Sequence, residues 1–454
     1  MGNKKALFLL TIIFCIVITI FLFQPGYMDN DSADQYQQSQ TGLYNDWHPV
    51  SMSWLWSQVG HVCPGPICMF SLQVIIYWVG LAIFISLINT HNIYKSLLLL
   101  IGFFPPAFML LATVLKDVLM AVMFLLGASL ILIATYKKNT NWLFASVFFI
   151  GYGMTLRHNA LVAALPFLIY VGYIYSKENP RLLKNLPIFW RSISIGGMLF
   201  VFIYIAASIF NNTVTDIKRY PYQQIMLHDL VGISLRLKKD LVPEYVAATE
   251  QPSMGDLRDL YSVRGTKNLY WNDSTNIRFK ILEDPRNVKN LAIDWLRTVI
   301  DYPRAYLIQR NVVFINVMNF NGLKNCAPYY YEETIYKPRG HYRPEEKPYA
   351  ENPITNFLFS IIEPLRMGLL YRNWLYLLLT GAIGIVAFIQ LRNSPEDSLL
   401  EIVFVLASSG LIYALMYFFV ATACDFRMMY WSVIVTLVSI PALAQRIIIN
   451  RSTK

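Results

Sequence analysis

The chain has 454 residues, of which 56% are hydrophobic and only 15% charged, with a mean hydropathy of +0.42. Soluble domains carry roughly 25% charged residues, so composition alone excludes an ordinary water-soluble domain. The net charge of +10 would suit nucleic acid, but in a chain of repeated apolar runs the cations belong to short loops beside a membrane, and a nucleic-acid partner is set aside.

Apolar runs of about 18 residues or more recur, each long enough to cross a hydrocarbon core of roughly 30 Å. The first, Ala6 to Phe23, follows Lys4 and Lys5. It is too long for a signal-peptide core and has no small-residue cleavage site, so it reads as an uncleaved anchor. Further helices are expected at 69–90, 97–114 (interrupted by Pro105-Pro106), 118–136, 142–156, 160–176, 192–210, 373–391, 399–420 and 430–447, about ten in all. The fold class expected is an all-α polytopic membrane protein.

Between the first two runs lies a long polar segment, 24–68, that includes "YMDNDSADQYQQSQTGLYNDWHPVSMSWLW". It brings Asp29, Asp31 and Asp34 together with amides, Trp47 and a His48-Pro49 pair. Counted from Asp29, the sixth and twelfth positions of a calcium loop hold Asp34 and Gln40 instead of Gly and Glu, so the EF-hand reading fails. A divalent metal held by Asp29, Asp31 and Asp34 with carbonyls stays open, as does a plain solvated acidic loop. Planar amides and aromatic faces are also what a sugar site uses. Cys63 and Cys68 close the segment in "CPGPIC", either as a disulfide or as two free thiols.

Lys116-Asp117, Arg157-His158 and the Asp425/Arg427 pair are embedded in apolar sequence, each in a turn at the end of a helix pair. Ionisable groups near membrane depth cost about 2.5–3.5 kcal/mol each on insertion scales and persist where they face a cavity or a partner. Lys116 and Asp117 could instead snorkel at a helix end, and Asp425 with Arg427 could be a structural pair. By helix count all three groups fall on the same side of the membrane as the Asp-rich segment. The opposite side collects Lys4, Lys5, Lys95, Lys137, Lys138, Lys177, Arg181, Lys184, Arg191, Arg392, Arg446, Arg451 and Lys454. The positive-inside bias then puts both termini in the cytoplasm.

The second long segment, 211–372, is expected to be a mostly helical external domain lying against the membrane, with "NFLFSIIEPLRMGLLYRNW" as an interfacial helix leading back into the bilayer. The organisation expected is therefore 1–210 with seven membrane helices, 211–372 outside, and 373–454 with the last three. No internal repeat, Gly-rich phosphate loop, HExxH or GxSxG motif is present.

An anchor helix, an acidic motif in the first outer loop, a His-Pro before the second helix, Lys-Asp at the outer end of helices three and four, "RHNA", and an Arg near the start of the last helix together resemble the GT-C superfamily. The resemblance is to its bacterial members that use polyprenyl-phosphate sugars, including those that decorate lipopolysaccharide O-antigen. It covers most of the chain in layout and about the first 160 residues by motif. It implies an inverting glycosyltransferase of the bacterial cytoplasmic membrane, with its active site on the extracytoplasmic face. The partners implied are a polyprenyl-phosphate sugar donor, a glycan or glycolipid acceptor and membrane lipid. The family's base is a carboxylate of the first outer loop, here Asp31 ahead of Asp34 and Asp29, and its second-loop acid matches Asp117.

The roles expected on that basis give the donor phosphate to Lys116, Arg157 and Arg427, oriented by Asp117. His48 and Trp47 shape the pocket, and acceptor contacts come from Gln223, Gln224, His228 and Asp229. No cofactor is required, and a divalent metal stays open. Two other classes remain: a lipid-linked glycan flippase or transporter, and a glycan polymerase or ligase.

Overall fold

The computed structural model describes residues 2–63, 65–271, 277–320, 326 and 352–452. Most of 321–351 of the external segment, and Lys454 among the counted cations, lie outside the described residues. The protein is an all-α polytopic chain; among the described residues β-pairing is confined to isolated bridges.

In chain order the α-helices are α1 (Gly2–Phe23), α2 (Asn30–Thr41), α3 (Val50–Gly60), α4 (Ile67–Ser86), α5 (Asn92–Leu99), α6 (Pro105–Leu111), α7 (Lys116–Lys137), α8 (Asn141–Thr155), α9 (Ala160–Glu178) and α10 (Ile188–Val214). The external segment contributes α11 (Gln223–Leu237), α12 (Met254–Leu260), α13 (Lys267–Tyr270), α14 (Pro285–Asp301), α15 (Pro303–Met318) and α16 (Pro353–Ile362). The chain returns through α17 (Asn373–Asn393), α18 (Ser398–Val420) and α19 (Tyr430–Ser452).

Among the described residues eight helices are long and apolar enough to cross a membrane. Two of the ten expected spans differ. The run at 97–114 is not one helix: it breaks by 66° between Ile93–Phe103 and Pro105–Leu111. The cause is local. Phe104 precedes Pro105, whose ring disfavours helical backbone at the residue before it, and Phe104 takes φ −54°, ψ 121°. The expected span at 142–156 is α8, with 15 residues, or about 22 Å at 1.5 Å per residue. Lys116 and Asp117, expected in a turn, instead form the first turn of α7.

Helix α7 is the centre of the bundle. Its residues from Lys116 to Ala134 are buried on every side, the pattern of a helix that is apolar all round and walled by neighbours. α4, α8, α9, α18 and α19 pack around it. α1 and α10 are peripheral and turn Leu10, Phe14, Phe202 and Ile209 outward, as helices facing lipid do. The external helices close a second, smaller core around Leu230, Leu257, Leu269, Phe279 and Leu291. α16 covers only the start of the expected interfacial helix; it ends at Ile362 and gives way to short 3-10 turns at Glu363–Leu365 and Leu369–Tyr371. One of its faces holds Thr355, whose Oγ1 donates to Leu22 O at 2.6 Å, and Phe359 against Tyr27. The other exposes Ile354, Phe357 and Ile361.

The crossings alternate so that the bundle has two distinct ends. One gathers the 24–66 segment, the turns before α7 and α9, the external helices and the stretch 421–429. At the other, Lys177 pairs with Glu396 at 3.2 Å and Arg446 with Asp397 at 2.8 Å.

Candidate functional site

The first end is organised by the exit of α1. Gly26 has φ +99°, and a Cβ there would come within 2.8 Å of Phe70 and 2.9 Å of Val114, so only glycine lets the backbone pass. Tyr27 then pairs with the strand-like stretch before α7: its N donates to Ala112 O at 2.9 Å, and Val114 N donates to Tyr27 O at 2.8 Å. Two residues on, Asp29 caps α2, its Oδ1 accepting from Ser32 N at 2.8 Å, which satisfies one of the open donors of a helix start. The Ser32 hydroxyl donates to Val114 O at 2.5 Å. The helix ends at Gly42 in the left-handed region, φ +69°, a common glycine terminus. The acidic segment is thus a helix whose first turn is stitched to the start of α7.

That stitching brings distant charges together. Arg427, from the turn before α19, donates from Nη1 to Asp29 Oδ2 at 2.6 Å, from Nη2 to Asp31 Oδ2 at 2.9 Å and from Nε to Asp425 Oδ2 at 3.3 Å. Lys116 Nζ reaches the same Asp31 oxygen at 3.3 Å and donates to His48 Nδ1 at 2.7 Å. His48 Nε2 faces Asp31 Oδ1 at 3.6 Å. A lysine donating to Nδ1 requires that nitrogen unprotonated, so the ring carries its hydrogen on Nε2, toward Asp31. Behind them, Arg157 pairs with the fully buried Asp117 and donates to Asn159 Oδ1 at 3.2 Å. Its guanidinium lies 5.9 Å from the Tyr417 ring.

Electrostatics separates the two candidate bases. Burial would raise Asp31, but the charges of Lys116 and Arg427 outweigh it and hold the carboxyl well below its usual range. Asp34, one turn further along α2, accepts from Gln38 Nε2 at 2.7 Å. Burial pushes its carboxyl up, and the Gln38 hydrogen bond only partly offsets this. Burial and the Lys116 charge depress His48 to about 3, so it is neutral at physiological pH. Asp29 has one oxygen on the cap and the other on Arg427, and acts as a bracket.

Of the first-loop carboxylates, Asp29 and Asp31 share Arg427, Asp29 also meeting Ser32 and Asp31 also meeting Lys116, while Asp34 turns to Gln38. Among the described residues no three such groups are placed to hold a metal.

Trp47 stands at the rim, its ring edge-on to Tyr270 at 5.8 Å and Trp271 at 5.5 Å. Asp46 accepts from the backbone of Arg219 and Tyr220, tying the rim to the external segment. The residues expected to give acceptor contacts on α11 face into the external domain. Gln223, His228 and Asp229 are buried and engaged within the external domain: Gln223 with Leu282 backbone, His228 with Ser262 O, Asp229 with Arg310 and Trp295. Gln224 accepts from Thr266 Oγ1 at 3.1 Å. The hydrogen bonds of Gln223, His228 and Asp229 join parts of the external domain.

Sequence reasoning missed the bracket role of Asp29 and a second disulfide, Cys326–Cys424, beside the Cys63–Cys68 bridge. The helical cap signal at Asp29 and Gly42 was readable in principle; the pairing of cysteines 98 positions apart was not. No family model matches the chain, and no curated protein or solved structure matches it.

Proposed function

We propose that this protein is an inverting glycosyltransferase of the GT-C kind, moving a sugar from a polyprenyl-phosphate donor to a cell-envelope glycan at the outer face of a bacterial cytoplasmic membrane. The observation that carries the reading is the convergence of Lys116, Arg157 and Arg427, from three separate parts of the chain, beside the carboxylates of α2. A cation cluster at a membrane surface, next to a carboxylate of raised proton affinity, is what a lipid-phosphate leaving group and an attacking hydroxyl need.

In this scheme the acceptor hydroxyl attacks the anomeric carbon and gives its proton to a carboxylate. The new carbon–oxygen bond forms as the bond to the phosphate oxygen breaks, and the electron pair leaves with the lipid phosphate. Lys116 and Arg427 stabilise that growing charge, Arg427 through a two-pronged grip. Arg157 is held behind them by Asp117. We assign the base to Asp34 in preference to Asp31. Asp31 is gripped by two cations and is a weak proton acceptor, whereas Asp34 is met by the neutral Gln38 amide and has a raised affinity. His48 steadies Lys116, and Trp47 lines the approach from the external domain. One displacement with one base inverts the anomeric centre.

Two independent features support the sidedness proposed. Disulfides persist in oxidising compartments, and both bridges lie at the site end. The Lys and Arg of the short loops gather at the other end, as cytoplasmic loops do. The flippase reading expects charges near the midplane of broken, repeated helices; here the charges sit at helix ends. The test is purified protein in nanodiscs with polyprenyl-phosphate sugar and a lipid-linked glycan acceptor. A new glycosidic product is expected. Lipid movement without product would support the flippase, and joining of preassembled glycans would support the polymerase or ligase.

A further inference from the structure

The stretch 421–429 carries Arg427 into the site, yet most of what holds it belongs to the external segment. Arg310 of α15 is wholly buried. It donates from Nη1 to Ala421 O at 2.9 Å, while Nη2 and Nε hold Asp229 Oδ2 at 2.5 and 3.1 Å. Ala423 bridges to Gly265, and Cys424 N donates to Arg264 O at 3.0 Å. Cys424 is also bonded covalently to Cys326. Asn373 Nδ2 joins Val317 O at 2.6 Å to Asp425 O at 3.3 Å, linking the end of α15 to the same stretch. On its other side, Arg427 reaches the α2 carboxylates Asp29 and Asp31.

A buried arginine that spends one prong on a backbone carbonyl fixes a loop in place, because an unpaired carbonyl or guanidinium in that setting is costly. Two such fixings, one ionic and one covalent, lie within six residues of Arg427 and both originate in the external segment. We propose that Arg310 and the Cys326–Cys424 disulfide are positioning groups that set Arg427 against Asp29 and Asp31, so that the grip on an anionic lipid headgroup depends on the external domain. The phosphate role of Arg427 rests on the function proposed above; its placement by these clamps does not.

The experiment uses the full chain in nanodiscs, as wild type, Cys326→Ser, Arg310→Lys and the control Cys63→Ser, together with wild type treated with a reductant. Steady-state transfer is measured alongside backbone hydrogen exchange over 421–429 and 29–32. Breaking the Cys326–Cys424 bond, by substitution or reduction, is expected to raise donor KM about tenfold, the scale of one misplaced charge-assisted hydrogen bond, with acceptor KM nearly unchanged. Exchange should quicken in both segments and stay native in the body of α19. Arg310→Lys should show the same pattern more weakly, and Cys63→Ser should not show it. Unchanged donor KM with quickened exchange overturns the proposal, as does unchanged exchange in both segments. If even wild type transfers no sugar, the functional reading fails, and exchange at 29–32 alone decides the positioning claim. Reduction of the folded wild type covers the case in which a variant does not fold.

Discussion

Asp34→Asn separates the two carboxylates of α2 most sharply. Asn is nearly isosteric and can still meet Gln38, whose Nε2 donates to Asp34 Oδ2 at 2.7 Å, so the helix and the cation cluster should survive. What is lost is a proton acceptor. General-base removal typically costs 10²–10⁴ in rate, or about 3–5 kcal/mol of barrier at 1.36 kcal/mol per tenfold. The loss should appear in kcat with donor KM little changed, because Lys116 and Arg427 hold Asp31 while the hydrogen bond of Asp34 goes to Gln38. The pH profile of kcat/KM for wild type should also show a rising limb. Asp34 accepts a proton only when ionised, and burial moves its carboxyl above the usual range, so activity falls as pH drops through that raised value. The assay is initial-rate transfer across pH, with purified donor and protein shown to be folded by its melting profile. If Asp34→Asn keeps full kcat while Asp31→Asn loses it a hundredfold, the base is Asp31 and the ranking by proton affinity is wrong.

Other expectations follow from the same geometry. His48 is buried and neutral, and its depressed value of about 3 against an unfolded 6.5 means the unfolded chain binds more protons between those limits. Stability should therefore rise with pH across that window, and His48→Gln should flatten the slope in melting curves taken from pH 4 to 7. Asp117→Asn leaves Arg157 facing a neutral partner at a fully buried position. The cost should approach the 3–5 kcal/mol typical of a broken buried pair, read as a lowered melting temperature and poor yield, with Asp117→Glu milder. Trp47→Ala removes the ring that meets Tyr270 and Trp271, and should raise acceptor KM more than donor KM in two-substrate kinetics.

The membrane bundle was legible because hydrophobic runs report it directly, and helix parity alone put Lys116, Arg157 and Arg427 on one side with the acidic segment. The break at Phe104 was legible in Pro105-Pro106, which interrupt the run at 97–114; its 66° angle was not. α2 was hidden differently. Its residues are polar, so apolar periodicity is silent, and the signal lies only in its ends, the Asp29 cap and Gly42. The contacts that build the site were not legible at all. Arg427 meets Asp29 and Asp31 across 398 and 396 positions, and sequence spacing has no access to such pairings. The α11 residues misled for a related reason: Gln, His and Asp look the same in sequence whether they bind a ligand or satisfy a buried backbone.

Within the cluster the cations are already matched. Lys116, Arg157 and Arg427 face Asp29, Asp31, Asp117 and Asp425, so a phosphate arriving at Lys116 and Arg427 must compete with a carboxylate for both. Asp31 is that competitor, since one of its oxygens takes both cations and its side chain is still 29% exposed. It stands where a phosphate oxygen would sit. Two like charges about 5 Å apart repel by roughly 3 kcal/mol at an effective dielectric of about 20. Part of that is recovered by Asp31 swinging toward solvent, and part is lost because the cations are less well held without it. Asp31→Asn should therefore bind polyprenyl phosphate about tenfold more tightly than wild type, even as the folded protein becomes less stable. Titration of tryptophan fluorescence with polyprenyl phosphate, at fixed ionic strength, reads this directly. Weaker binding by Asp31→Asn would mean that Asp31 organises the cations more than it competes for them, and that the phosphate enters elsewhere on the cluster, with Arg157 as its first contact.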